Sequence, residues 1–96
     1  MKIFQGDHVL TREEQLERAR KYLTKQAEKD AEGAPSGKHA LGFLAQRRLD
    51  YIKELDVITE SDKKELYSFY RSELSKSVNK VIEGTGVIIR STFPEY

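Results

Sequence analysis

The sequence TREEQLERARKYLTKQAEKDA, residues 11–31, begins with a helix-start signal and continues with a helical repeat of apolar residues. Thr11 stands three positions before Glu14, so each side chain can bind the other's backbone amide at a helix start. Apolar residues then recur every three or four positions among charged ones: Leu16, Ala19, Tyr22, Leu23, Ala27 and Ala31. Because Pro35 cannot continue a helix, this spacing predicts a first helix over residues 11–32 with one narrow buried side.

A second helix is predicted over residues 38–55, with Ser36-Gly37 as its N-terminal cap. Its apolar residues cover more than half of a helical wheel: Ala40, Leu41, Phe43, Leu44, Ala45, Leu49, Tyr51, Ile52 and Leu55. So wide an arc is typical of a helix with neighbours on several sides. We therefore expect the second helix at the centre of the fold and the first at its periphery.

A third helix is predicted over residues 60–83. Thr59 and Asp62 form a second candidate capping box at its start, and Gly84 is the expected helix-ending residue. Its apolar stripe comprises Leu66, Tyr67, Tyr70, Leu74, Val78, Val81 and Ile82. The sequence thus predicts one mainly α-helical domain over residues 1–96, a three-helix bundle.

The two ends of the chain have an extended pattern. Residues 87–93 are rich in β-branched side chains, among them Val87 and Ile89, and end at Phe93. This C-terminal arm either pairs with residues 2–4 as a two-stranded ribbon or pairs with a second copy in a homodimer. Both arrangements remain open at this point, because a lone ribbon is only marginally stable.

The composition excludes several classes of function. The chain has 17 basic and 16 acidic residues, a net charge of +1, so no global field attracts nucleic acid or membrane. Without cysteine it has no disulfide, thiolate nucleophile or cysteine-based metal site. No apolar run has the length of a signal peptide or a membrane span, so we expect a cytoplasmic protein without membrane contact.

Catalytic and metal-binding patterns are equally scarce. Neither His8 nor His39 has a second histidine three or four positions away, as a metal site usually requires. The run from Ser72 to Lys76 lacks the context of a serine nucleophile, and Gly84-Thr85-Gly86 follows a helix instead of preceding one. We therefore expect no enzymatic activity, no metal and no cofactor.

Arg48 interrupts the apolar arc of the second helix, with Arg47 nearer the margin of that arc. An unpaired charge in a core is costly, so one interpretation is that Arg48 pairs with a carboxylate at the core edge. The other is that it lies in an open groove that receives an acidic or phosphate-bearing partner.

Phe69 is predicted on the exposed side of the third helix, beside Lys76 and Lys80. An exposed aromatic ring between lysines can anchor a protein partner or stack on a nucleic-acid base. It can also be silent, or contact the chain ends.

The segment GFLAQRRLDYIK, residues 42–53, resembles the central Arg-Arg-Leu-Asp-Tyr helix of a helical small-subunit ribosomal protein family that binds ribosomal RNA. The chain before this segment lacks the Gly-Ser-Pro-Glu segment and the histidine-rich basic loop of that family. The resemblance implies RNA binding through Arg47, Arg48 and Lys53.

The leading hypothesis is a non-enzymatic interaction module that docks on a larger protein as an adaptor, regulator or inhibitor, in a phage or mobile-element setting. The alternative is an RNA- or DNA-binding helical module that uses the basic residues of helices 2 and 3. The candidate partner-binding residues are Arg47, Arg48, Phe69, Lys76, Lys80, Val87, Ile89 and Phe93.

Overall fold

The computed structural model describes residues 10–36, 40–86 and 92–96. Within these residues the chain forms three α-helices, α1 (Arg12–Gly33), α2 (Leu41–Lys53) and α3 (Glu60–Thr85), with a 3₁₀ turn at Ala34–Ser36. The predicted all-α arrangement of three helices is confirmed. None of the helices in these ranges combines the length and the apolar character that crossing a membrane requires.

Both predicted capping boxes are present. Thr11 Oγ1 accepts a hydrogen bond from the Glu14 amide at 3.1 Å, and Glu14 Oε1 accepts one from the Thr11 amide at 2.9 Å. Thr59 and Asp62 make the same reciprocal pair at 3.1 Å in both directions. Each box satisfies amides that a helix start leaves without intrahelical partners, so it fixes where α1 and α3 begin.

Two predicted capping residues are wrong, and α2 ends at Lys53 instead of at residue 55. The N-cap of α2 is Ala40, which makes no side-chain cap, and not Ser36-Gly37. Helix α3 continues through Gly84 to Thr85 and is capped by Gly86, whose φ of +75° lies in the left-handed region and whose amide donates to the Ile82 carbonyl at 2.7 Å. A glycine accepts either a helical or a left-handed backbone, so the spacing alone cannot choose between Gly84 and Gly86.

Helices α1 and α3 run parallel. Arg12 at the start of α1 bonds Asp62 at the start of α3. Further along both helices, Asp30 of α1 bonds Tyr70 of α3. The two contacts occur in the same order along each helix, so the two helices point in the same direction.

Helix α2 runs antiparallel to α1. Arg48 of α2 meets Asp30 of α1. Tyr51, which lies further along α2, meets Tyr22, which lies earlier in α1. The three helices therefore run up, down and up.

The packing reverses the expected roles of the first two helices. Helix α1 packs mainly against α3, and α2 makes the smaller contribution with its 13 residues. Along α1 the buried apolar residues are mostly small: Leu16, Ala19, Leu23, Ala27 and Ala31. Small side chains let the backbones of two helices approach closely, so the narrow stripe of α1 forms the centre of the core. The prediction of a peripheral first helix is therefore wrong.

The core itself is drawn from all three helices. It comprises the α1 residues above together with Leu41, Ala45, Leu49 and Ile52 of α2 and Leu66, Tyr67, Tyr70 and Leu74 of α3. The wide apolar arc of α2 is only partly used, since Phe43 is 55% exposed. The predicted terminal ribbon and dimer arm fall on residues 2–4 and 87–91, which lie outside the described residues.

Candidate functional site

Arg48 lies at the junction of the three helices, paired with a carboxylate. Its guanidinium donates two hydrogen bonds to Asp30 of α1, from Nε at 3.2 Å and from Nη2 at 3.0 Å. The Arg48 side chain is 13% exposed and that of Asp30 is 5% exposed. Arg48 is therefore a core-edge ion-pair partner, as the first interpretation predicts, with its Nε and Nη2 groups donating to a carboxylate of α1.

Tyr70 of α3 completes this buried network. Its hydroxyl donates to Asp30 Oδ2 at 2.6 Å, and the residue is fully buried. Burial raises the pKa of Tyr70 well above its ordinary value, and the hydrogen bond to Asp30 raises it further. The phenol stays protonated, and the network joins α1, α2 and α3 without presenting a nucleophile or base to solvent.

Phe69, Lys76 and Lys80 do not form the predicted exposed platform. Phe69 is partly buried and packs against the core, so its predicted position opposite the core is wrong. Lys76 is exposed and bonds Glu73 at 3.2 Å. Lys80 lines a groove of about 330 Å³ at the seam of α1 and α3, together with Glu28 of α1.

The described end of the C-terminal arm lies on the chain's own surface. The Arg71 guanidinium lies 4.8 Å from the centre of the partly buried Phe93 ring, and the Tyr67 hydroxyl donates to the Pro94 carbonyl. Phe93 is thus engaged by α3, whereas the candidates at positions 87 and 89 lie outside the described residues.

The last residue of the chain is bonded to the start of α3. The Tyr96 hydroxyl donates to the Glu60 carboxylate. This hydrogen bond raises the pKa of Tyr96 to about 12, because ionisation would place two negative charges side by side. The phenol therefore remains a donor, and it ties the C-terminal end to α3.

A cleft of about 560 Å³ opens beside this segment, lined by Lys64, Ser68, Arg71 and Tyr96 among others. Its two cations face aromatic rings, Lys64 at 6.0 Å from the Tyr96 ring and Arg71 above Phe93. Such contacts hold the segment in place. In the described part of the chain, no group of three or more His, Asp or Glu side chains could hold a metal ion.

An aromatic pair marks the seam between α1 and α2. The rings of Tyr22 and Tyr51 lie 4.5 Å apart at an angle of 42°, and Tyr22 is 36% exposed. Burial raises the pKa of Tyr51, so its phenol remains neutral. Arg47, an exposed residue of α2, stands one helical turn before Tyr51 on the same side. Arg47 is therefore an exposed sequence candidate that stands beside this aromatic pair.

A row of cations runs along α1 next to Tyr22. Its members share an arc of about 80° on the helix, by the rotation of about 100° per residue, and all are exposed: Arg18, Lys21, Lys25 and Lys29. We name these four residues the basic stripe. The stripe, Tyr22, Tyr51 and Arg47 together form what we name the α1–α2 face.

Sequence reasoning missed this face, although one signal is present. The run RARKYLTKQA, residues 18–27, contains four cations and no carboxylate in a chain whose overall charge is nearly balanced. The near neutrality of the whole chain conceals this local cluster of positive charge, because a net charge does not show where on a helix the charged residues lie.

Comparison with known proteins identifies no relative: no protein-family model, no curated protein and no solved structure matches this chain.

Proposed function

We propose that this protein is a non-enzymatic interaction module that docks on a larger protein through the α1–α2 face. The observation that carries the proposal is the exposed Tyr22 ring, held against Tyr51 at the seam of two helices. Tyrosine and arginine are enriched among the residues that dominate binding energy at protein interfaces. Arg47 stands beside this pair, so the face combines both residue types.

The packing of the pair supports its role as an anchor. Tyr22 gives a large contact area with few rotatable bonds. Its neighbour Tyr51 already restricts the ring in the free protein, so the ring loses little side-chain entropy on binding. The ring is set on a helix whose inner side is fully buried at Leu23, so its backbone position is fixed. Such an anchor presents an amphipathic surface at low entropic cost.

Nucleic-acid binding is the second candidate, and the basic stripe favours it. Cations attract phosphate groups, and an exposed tyrosine can stack on a base. Of the residues first considered for this function, Arg48 is bonded to Asp30, and Lys53 lies 5.4 Å from the Tyr96 ring. An RNA surface that includes the Tyr22 ring would therefore be centred on the basic stripe of α1, with Arg47 as the contribution of α2.

Site-directed photo-crosslinking tests the docking proposal. A benzophenone amino acid replaces Tyr22 in one version of the full chain and Ser75, an exposed residue of α3, in a matched control. Each version is irradiated in a lysate of the source organism, and the adducts are identified by mass spectrometry. We expect a protein adduct at position 22 that is absent at position 75.

Other outcomes contradict the proposal in distinct ways. Adducts that disappear on nuclease treatment would favour the second candidate. An adduct at position 22 with a second copy of this chain would favour the homodimer, which light scattering on the purified chain checks independently. Protein adducts of equal yield at both positions, or none, would remove the α1–α2 face as a docking site.

We extend the proposal to a cytoplasmic adaptor, regulator or inhibitor of phage or mobile-element type. The absence of cysteine in this sequence supports the cytoplasmic location, since a cysteine-free chain needs no oxidising compartment. Fractionation of the source cells with an antibody against the chain tests its location.

A further inference from the structure

The charge pattern around the basic stripe is asymmetric. On the side towards α3 the stripe is flanked by Glu17 and Glu28, and Glu17 lies 3.8 Å from Lys21. On the side towards α2 it is flanked by Tyr22 and Gln26, which carry no charge. Between residues 18 and 29 no carboxylate falls within the arc of the stripe itself.

The stripe has the dimensions of a helix contact. Its cations are spaced by three, four and four residues, so they cover about 16 Å at a rise of about 1.5 Å per residue. Carboxylates on one side of a second helix recur at the same three- and four-residue spacing. A partner helix of about three turns can therefore pair its acidic side with all four cations and place an apolar residue on Tyr22.

Resting on the docking function proposed above, we propose that the α1–α2 face binds an acidic amphipathic helix of the partner protein, lying along the basic stripe. Charge complementarity identifies the occupant: the stripe offers four exposed cations, and Tyr22 adds an aromatic anchor at the seam with α2. Complementary charge of this kind accelerates encounter and suppresses partners with the wrong sign.

The carboxylates around the stripe favour this occupant over a nucleic acid. Glu14 and Glu32 stand in line with the stripe, one before its start and one after its end, and Glu28 lies at its side. A phosphate backbone is negative along its whole length and would meet these carboxylates within the screening length of about 8–10 Å. An acidic helix is negative on one side only, so its remaining surface can offer neutral or basic groups to them.

Fluorescence anisotropy with defined probes tests the inference. The first probe is a labelled 15-residue helical peptide with glutamates at three-, four- and four-residue spacing and leucines beside them. The second replaces the glutamates by glutamines, and the third is a labelled oligouridine of twelve nucleotides. We expect the full chain to bind the glutamate peptide at least about tenfold more tightly than either other probe, with affinity that falls as salt screens the charges.

Two matched charge reversals locate the binding. Lys25→Glu with Lys29→Glu changes the stripe, and Lys76→Glu with Lys80→Glu makes the same change of charge on α3. We expect the first pair to weaken glutamate-peptide binding at least about tenfold and the second to change it less than about twofold. Circular dichroism on both variants verifies that the helices are retained.

Failure of the acidic-helix inference can be distinguished from failure of the docking function. Tighter binding of oligouridine than of the glutamate peptide, or equal weakening by the two reversals, overturns the acidic-helix inference. Equal binding of the glutamate and glutamine peptides overturns it as well. If position 22 still crosslinks to a protein in those cases, the docking function stands without the acidic occupant, whereas absence of that crosslink removes the docking function itself.

Discussion

Two arginine–aspartate pairs join the helices, and they differ in their surroundings. At one end of the bundle Arg12 donates from Nε to Asp62 at 2.7 Å and from Nη2 at 2.6 Å. Nearer the middle Arg48 makes the same two-bond contact with Asp30. The Arg12 side chain is 50% exposed, whereas that of Arg48 is 13% exposed.

Burial, more than bond geometry, decides what each pair contributes. If the outer pair breaks, water can solvate Arg12, and Asp62, although only 6% exposed, still accepts a hydrogen bond from the Thr59 amide, so the outer pair is the more readily replaced. Asp30 has little access to water and also accepts from Tyr70, so removal of one partner leaves a buried charge poorly compensated. We therefore expect the inner network to dominate stability and the outer contacts to control local order.

Arg48→Ala is the strongest test of this contrast. The substitution leaves Asp30 buried without its cation, and loss of one partner of a buried pair costs about 3–5 kcal/mol. We expect the free energy of unfolding, measured by urea denaturation, to fall by that amount. The matched control is Arg47→Ala, an exposed residue, for which we expect a change within about 0.5 kcal/mol. Equal effects of the two substitutions would contradict the structural role of Arg48.

Tyr70→Phe should have the next largest effect. It removes the hydroxyl that donates to Asp30 at 2.6 Å but retains the buried ring. A hydrogen bond to a charged group contributes about 1.5–3 kcal/mol, so we expect a loss in that range in the same denaturation assay. Tyr67→Phe, which removes a donor to the C-terminal segment, is the control. A larger loss for Tyr67→Phe would show that the segment stabilises the fold more than the inner network does.

The sequence predicts the local parts of this fold well. The capping boxes at Thr11 and Thr59 and the three-helix class depend on residues within one or two turns of each other, and all are confirmed. The anomaly of Arg48 is also visible in the sequence, because its position on the helical wheel is a local property. Its partner Asp30 is not, since it lies 18 residues away on another helix and the pairing depends on how α1 and α2 pack.

The errors share a physical reason. The burial of Phe69 and the relative roles of α1 and α2 depend on which helices pack most closely. Small residues such as Ala27 allow that close packing, but they do not stand out in a hydrophobic pattern. The α1–α2 face likewise arises only when Tyr22 and Tyr51, which lie far apart in the sequence, meet at a seam.

Asp62→Asn probes the outer pair through its pH dependence. The hydrogen bonds from Arg12, followed by that from the Thr59 amide, hold the pKa of Asp62 well below its ordinary value. A lowered folded-state pKa stabilises the fold above the unfolded-state pKa of about 3.9 and loses that contribution as pH falls towards the folded-state value. The asparagine keeps a side-chain oxygen that can accept from the Thr59 amide, but it loses the negative charge that faces Arg12.

We therefore expect the Asp62→Asn variant to melt at a lower temperature than the parent at pH 7, by less than Tyr70→Phe does. The gap should narrow as pH falls from about 5 to about 2, as followed by thermal circular dichroism. A gap that does not change over this range would mean that the Asp62 charge does not stabilise the fold.

Gly42→Ala tests whether the C-terminal segment is held locally, and its effect on global stability should be the smallest. A Cβ atom at position 42 would lie 2.1 Å from the Thr92 carbonyl oxygen, so the segment must move away from α2. Alanine also favours a helical backbone over glycine, by up to about 1 kcal/mol in a helix interior, and this gain offsets part of the weaker packing of the segment. We expect the urea midpoint to change little, while the backbone amide resonances of Phe93 and Tyr96 shift and that of Asp30 does not.

Gly33→Ala is the matched control for the segment, because nothing lies within 4 Å of a Cβ atom at that position. It makes the same chemical change on α1, so the Phe93 and Tyr96 resonances should stay where they are in the parent. If Gly42→Ala also leaves those resonances unchanged, the segment does not lie on α2. The contrast between a network that stabilises the whole fold and ends that are held only locally would then be lost.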